Sequence, residues 1–424
     1  PQGSPCSPVI SNLVGHILDA RLIRLARKYG CTYTRYADDL TFSTNRKDFP
    51  RALARKWLLR DQYIVGKELK KAIEVAGFSI NASKTSLQFR TTRQMTTGLV
   101  VNEKVNIAQD YYRNVRSMCF SLFQTGAYHI PVKNGVNEVK RIADLDPLEG
   151  RLAHVHYVKN VTVRRKRAEL DHRIVPYQEP TAPRNLYRRF LFYKYFVANE
   201  VPVIVTEGKT DIIYLRTAIK ALHAKFPDLV QMEDGKANLL IKFFKASDNN
   251  KIILGLAQGF SGMTSFIKSY QAKLRPYGFR PMQHPIIFVV DDDDGGSDVR
   301  KAAEKVAGTK FPPKGGERFF PVRDNLYLVL TPPNEKGEPS AIEDCFPKEV
   351  LETKLDGKSF NKQKEHGDES SFGKHIFAEK IVARGLETIN FSGFEPLLTA
   401  ISKAISNYQA KMAAAGKAKI GKTA

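Results

Sequence analysis

Two short, uninterrupted apolar runs, each breaking abruptly into acid, constrain this chain more than any other feature. Val201-Pro202-Val203-Ile204-Val205-Thr206 runs into Glu207-Gly208-Lys209-Thr210-Asp211, and Pro285-Ile286-Ile287-Phe288-Val289-Val290 runs into Asp291-Asp292-Asp293-Asp294-Gly295-Gly296. A strand that is apolar at every position must be covered on both faces, which is the environment of a parallel sheet flanked by helices. Ile212, Ile213, Leu215, Ile219 and Leu222 follow the first run at helical spacing, so this region reads as α/β. In an open parallel sheet both acidic loops leave at the carboxyl edge, where ligands bind. Glu207, Asp291 and Asp293 can meet there around a divalent cation.

The amino-terminal region has a different period. Tyr33-Thr34-Arg35-Tyr36-Ala37-Asp38-Asp39-Leu40-Thr41-Phe42-Ser43 alternates apolar and polar residues on either side of an Asp pair, which predicts a β-hairpin with Asp38 and Asp39 at its tip. Adjacent carboxylates on a tight turn are costly unless a divalent cation or a basic partner neutralises them. A two-metal polymerase needs such ligands, with cations roughly 4 Å apart, to stabilise both the attacking and the leaving oxygen. Before the hairpin, Pro1-Gln2-Gly3-Ser4-Pro5-Cys6-Ser7-Pro8-Val9-Ile10-Ser11-Asn12 reads as a loop leading into an amphipathic helix that carries Leu13, Ile17, Leu18, Leu22 and Leu25. After it, a helical stretch to Ala76 precedes Gly77-Phe78-Ser79-Ile80-Asn81-Ala82-Ser83-Lys84-Thr85 and then Thr97-Gly98-Leu99-Val100-Val101-Asn102.

Those four blocks, in that order, resemble the reverse transcriptases, specifically the bacterial retron branch. The resemblance implies a right-hand polymerase palm of antiparallel sheet plus helices over residues 1–105 and a helical thumb over 106–175. It implies that Asp38 and Asp39 bind catalytic Mg²⁺, a role Mn²⁺ could also fill. It places Gln2 and Gly3 against the incoming nucleotide and template, and Lys84 near the nucleotide phosphates or else in solvent. Palm polymerases use a further aspartate on an earlier strand. The fingers and early palm are therefore expected from a preceding amino-terminal segment, without which this stretch is not expected to polymerise.

Charge agrees with a nucleic-acid partner: 67 Lys and Arg against 44 Asp and Glu leave a formal net charge of +23. The densest basic run, Arg164-Arg165-Lys166-Arg167, suits phosphate contact by counterion release, or a solvated helix end. Tyr111, Tyr112, Arg113 and Arg116 mix rings and guanidinium groups at helical spacing, as a thumb helix against a duplex would, or as core packing would. The four cysteines, Cys6, Cys31, Cys119 and Cys345, have no zinc-site spacing and no disulfide framework. No apolar run reaches bilayer length and no signal peptide is visible, so a bacterial cytoplasmic location is expected.

Prolines at 176, 180 and 183 mark residues 176–199 as a linker and an aromatic helix. Beyond it, the strand-Glu-Gly and strand-Asp-x-Asp blocks resemble the TOPRIM domain of topoisomerases, bacterial primases and overcoming-lysogenization-defect nucleases, a Rossmann-like, mostly parallel sheet over 200–410. The resemblance matches Glu207, Asp291 and Asp293 to its metal-binding acids. The nuclease branch adds Asp211, Glu343 for a second metal, and Lys374 as a transition-state stabiliser, though a surface lysine fits that position equally. Ile252–Leu256 and Leu326–Leu330 read as further strands, and 411–424 as a basic flexible tail.

A reverse transcriptase followed by TOPRIM is similar to one retron type. That implies a noncoding RNA template and primer, a branched RNA-linked cDNA product, and a fused nuclease effector of phage defence acting on its own nucleic-acid substrate, with homo-oligomerisation open. Two alternatives for the TOPRIM part also stay open: a primase- or topoisomerase-like activity, and a non-catalytic nucleic-acid or assembly module.

Overall fold

The computed structural model describes residues 4–56, 63–131, 139–168, 181–257, 259–312, 317–334, 337–338, 340–363 and 370–420. The chain divides into two compact units, residues 1–114 with 154–177, and residues 115–153 with 178–424.

In the first unit, helix α1 (Ser7–Tyr29) leads into the hairpin β1 (Thr32–Tyr36) and β2 (Asp39–Ser43), paired antiparallel from Thr32↔Ser43 to Tyr36↔Asp39. A second hairpin, β3 (Ala54–Lys56) and β4 (Tyr63–Val65), precedes helix α2 (Lys67–Val75). Short strands β5 (Met95–Thr96), β6 (Leu99–Val100) and β7 (Asn106–Ile107) form an antiparallel set before helix α3 (Gln109–Thr125), which runs on into the second unit. The helix α1 starts at Ser7, several residues before the expected point, because Pro8 fits a first turn whose amide needs no partner. Its inner face is narrower than the apolar pattern suggested. Leu18 and Leu22 are buried with Ile73 against Tyr33, Leu40 and Phe42, whereas Leu13 and Ile17 stay 69% and 62% exposed.

The second unit contains the hairpin β8 (Tyr128–Pro131) and β9 (Val139–Ile142) and the start of helix α4 (Asp146–Ala168). Helix α5 (Ala182–Phe192) follows, extended by a π-helical turn at Tyr193–Val197. Thr181 caps α5 by accepting from Arg184 N, and Pro183 sits in its first turn, so the aromatic helix forms where the sequence placed it.

The central layer has the strand order β13-β10-β14-β16-β15. In chain order its elements are β10 (Val203–Val205), α6 (Lys209–Ala221), the hairpin β11 (Val230–Glu233) and β12 (Lys236–Leu239), β13 (Lys242–Phe243), α7 (Asp248–Leu254), α8 (Gly259–Leu274), β14 (Ile286–Val290), α9 (Asp294–Ala307), β15 (Phe319–Arg323) and β16 (Leu326–Leu330). The strands β13, β10, β14 and β16 are mutually parallel, and β15 closes one edge antiparallel to β16. Every residue of β10, β14 and β16 is buried, as uniformly apolar strands between helical layers must be. After a 3₁₀ turn at Ile342–Cys345 come α10 (Lys348–Leu351), the strand pair β17 (Ser359–Phe360) and β18 (Ser371–Phe372), α11 (Lys374–Ile376) and the long α12 (Glu395–Ile420). Leu397, Leu398, Ile401 and Ala404 of α12 join Ile204, Ile287 and Val329 in one core.

Two expectations fail locally. Residues 252–256 are not a strand: α7 covers them to Leu254, started by Ser247, which accepts from Asn250 N at 3.2 Å, and stopped by Gly255 in the left-handed region. A short apolar run does not distinguish strand from buried helix by period, and here the caps decide. Residues 411–420, expected as a flexible tail, continue α12, in keeping with the high helix propensity of alanine and lysine.

Candidate functional sites

In the first unit Asp38 occupies the second position of a two-residue turn and Asp39 opens β2. Ala37, the other turn residue, has φ 52, the left-handed conformation that such hairpin turns use. Both carboxylates are exposed and line a cleft of about 920 Å³ together with Ser11, Lys84 and Gly98, so all four sequence blocks contribute to one cavity. Gln2 and Gly3 lie outside the described residues. Beneath the turn, Arg35 grips Asp19 with two hydrogen bonds of 2.8 Å, an arrangement that holds the Asp19 carboxyl below the usual carboxylate range. Tyr33 donates to the same carboxylate at 2.7 Å. Nothing in the local pattern announced this pair, because its members stand sixteen residues apart and touch only once the hairpin folds onto α1. Arg113 and Arg116 stand on exposed positions of α3, and Arg113 pairs with Asp110 at 3.9 Å. The basic run Arg164, Arg165, Lys166 and Arg167 falls within α4, with its side chains outside the described residues.

In the second unit the acids arrive as the parallel sheet requires. The pairing of β10 with β14 places Val205 beside Phe288, so Glu207 and the Asp291–Asp293 loop leave neighbouring strands at the same edge. Asp293 caps α9 by accepting from Gly296 N at 2.9 Å, and Asp211 accepts from Gly208 N at 2.9 Å at the start of α6. Only glycine fits at 296, since a Cβ there would stand 1.8 Å from the Asp291 carbonyl oxygen. Ile342 N donates to Asp291 Oδ1 at 3.0 Å, bringing the 3₁₀ turn and its Glu343 to the same edge. Lys374 Nζ lies 2.8 Å from Glu343 Oε1, with Glu343 fully buried and Lys374 27% exposed, so Lys374 is no ordinary surface lysine. Asp292 turns the other way, to Arg318 and, at 3.6 Å, to Arg300, and is a structural residue neutralised by two guanidinium groups.

The electrostatics of this edge are unbalanced. Burial, and then the charges of Asp211 and Asp293, push Glu207 up to about 7. Burial, with Asp211, Glu343 and Asp293, pushes Asp291 up to about 8. Burial also raises Glu343 against the opposing pull of Lys374; burial disfavours the Lys374 ammonium in turn, but the Glu343 charge holds it above the ordinary lysine value. Five carboxylates therefore influence one another with one lysine among them, and Glu343 Oε2 is buried without a hydrogen-bond donor. Hard oxygen donors short of positive charge suit Mg²⁺ or Mn²⁺. The acids are gathered but not closed: among the described residues, no three His, Cys, Asp or Glu side chains stand close enough to hold a metal by themselves. No helix among the described residues is long and apolar enough to cross a membrane.

Residues 1–110 match the family model described as reverse transcriptase (RNA-dependent DNA polymerase), and the hairpin and its cleft lie within the matched stretch. That region is homologous to the retron enzymes. The chain is 42% identical over 102 residues to the retron Mx162 reverse transcriptase of Myxococcus xanthus, covering 24% of this chain and 21% of that protein. It is 41% identical over 117 residues to the retron Mx65 enzyme of the same organism, covering 28% and 25%, and 35% identical over 124 residues to the Escherichia coli retron Ec86 enzyme, covering 29% and 35%. The matches thus span between about a fifth and about a third of these relatives' lengths. No solved structure matches.

Proposed function

We propose that this chain carries two phosphoryl-transfer sites, one that makes DNA from RNA and one that cuts phosphodiesters. The first reading rests on the Asp38–Asp39 turn, exposed at a cleft inside the region homologous to retron reverse transcriptases. Divalent cations, when bound, would supply the charge that activates a 3′-hydroxyl and stabilises departing pyrophosphate. Asp38 and Asp39 would hold them, Lys84 would meet nucleotide phosphates, and Gln2 and Gly3 would face the nucleotide and template. The template and primer are a noncoding RNA and the product a branched RNA-linked DNA. Asp38→Asn and Asp39→Asn in the complete polypeptide should abolish RNA-templated extension while leaving RNA binding intact; wild-type extension by either variant refutes the assignment.

The second reading is a TOPRIM nuclease that serves as effector in phage defence. What supports it is the emergence of Glu207, Asp291 and Asp293 from adjacent parallel strands into one charge-starved edge. Glu207, Asp291 and Asp293 would hold one cation, with Asp211 and Glu343 serving a second. Lys374, already drawn in by Glu343, would meet the charge that develops on the cleaved phosphate. The unclosed spacing of the acids favours the rival reading of a non-catalytic nucleic-acid module. The two separate in one assay: Glu207→Gln and Asp291→Asn should remove Mg²⁺-dependent hydrolysis and cellular toxicity with cDNA yield unchanged, and toxicity that survives both substitutions leaves the non-catalytic module.

A further inference from the structure

The network beneath the Asp38–Asp39 turn is more specific than helix-to-hairpin packing needs. Arg35 uses all three guanidinium nitrogens. Nε donates to Asp19 Oδ1 and Nη2 to Asp19 Oδ2, each at 2.8 Å, while Nη1 donates to Ala37 O at 2.9 Å and to Asn12 Oδ1 at 3.3 Å. Helix α1 is shaped to admit this group. Gly15 faces it, and a Cβ there would come within 2.8 Å of the guanidinium carbon. Tyr33 Oη closes the other side of Asp19 Oδ1.

One of those bonds ends on a backbone carbonyl, and that carbonyl belongs to Ala37, a residue with a Cβ held at φ 52. A left-handed residue that carries a Cβ is strained and persists where its surroundings over-determine it. The Ala37 carbonyl also sets the plane of the peptide that joins Ala37 to Asp38, and so the direction in which the Asp38 Cβ leaves the backbone. Asp39 follows directly, in register with Tyr36.

We infer that Asp19 and Arg35 are positioning residues, which clamp the Ala37 carbonyl and thereby aim the exposed Asp38 and Asp39 carboxylates for divalent cations. The inference rests on the reading of that turn as a metal site. Lysine cannot replace Arg35, because one ammonium on a flexible stem cannot hold Asp19 bidentately and still reach Ala37 O in a fixed plane. Glycine at 37 removes the strain and frees the turn, while leaving the Asp19–Arg35 pair untouched.

The test is an Mn²⁺ titration of the full chain, followed by water-proton relaxation, in a background carrying Glu207→Gln and Asp291→Asn to silence the other acidic edge. In that background, Mn²⁺ should bind in a manner that Asp38→Asn abolishes. Arg35→Lys and Ala37→Gly should each weaken binding about tenfold or more, the usual effect of removing a group that orients a metal ligand. Ala37→Gly should do so with far-UV circular dichroism and melting temperature unchanged. The inference is overturned if folded Arg35→Lys and Ala37→Gly both bind Mn²⁺ like the background chain. It is overturned too if weakened binding appears only in variants whose melting temperature has collapsed, since the pair would then merely hold the fold together. If the background chain shows no Asp38-dependent Mn²⁺ binding, the metal reading of the turn fails first, and this outcome is distinct from the other two.

Discussion

Replacing Asp291 by asparagine should make the second unit more stable while destroying its proposed chemistry. The side chain is held in the folded protein with its pKa at about 8, against an ordinary aspartate value of 3.8, chiefly by burial and then by its acidic neighbours. Between those two pH values the folded state binds more protons at this position than the unfolded state does, so stability falls as pH rises. At pH 7 the folded carboxyl is mostly protonated while the unfolded one is ionised. Three pH intervals at 1.36 kcal/mol each put the cost at roughly 4 kcal/mol before relaxation, and about 1–4 kcal/mol is the range to expect. Asparagine keeps the oxygen that accepts from Ile342 N, carries no charge, and offers its amide hydrogens to the surrounding carboxylates. Urea unfolding in EDTA, read from hydrogen exchange of the Ile286–Val290 amides, should show Asp291→Asn ahead of the parent at pH 7 to 8, with the gap closing toward pH 4. Added Mg²⁺ should then stabilise the parent and leave the variant unmoved, because a ligand stabilises only the state that binds it. A variant less stable than the parent at pH 8, or a gap that does not change with pH, refutes the reasoning.

Lys374→Met should cost about 3 kcal/mol at pH 8, since it strands the fully buried Glu343, and progressively less as the pH falls, because burial raises the Glu343 pKa and protonation removes the stranded charge; the double variant with Glu343→Gln should recover most of the loss in the same unfolding assay. Gly296→Ala should lower the melting temperature of the second unit and abolish hydrolysis together, because the added Cβ would collide at 1.8 Å with the Asp291 carbonyl oxygen and displace the loop bearing Asp291 and Asp293, an overpacking cost of about 1–3 kcal/mol or more. Glu207, pushed up to about 7 by burial and by its acidic neighbours, should confer on Mg²⁺-dependent hydrolysis an activity that rises with pH through neutrality, and a flat profile between pH 6 and 8 would remove it from the metal site.

Features that depend on near neighbours along the chain were legible without coordinates. Alternation on both sides of Asp38 and Asp39 is a property of eleven successive residues, and the hairpin that forms puts the pair at its turn. Uniform apolarity in β10 and β14 requires burial on both faces, and parallel pairing then carries Glu207 and Asp291 to one edge. Where the local signal was ambiguous, chemistry at a boundary decided: Ser247 and Gly255 make α7 a helix where apolarity alone suggested a strand. What tertiary structure alone settled are the partnerships between residues far apart in sequence. Arg35 with Asp19, Lys374 with Glu343, and Asp292 with Arg318 are side-chain pairs with no periodicity to betray them. The acids themselves were written in the sequence; which of them are neutralised, which are braced and which are left short of positive charge depends on desolvation and distance, and these exist only once the sheet and helices have packed.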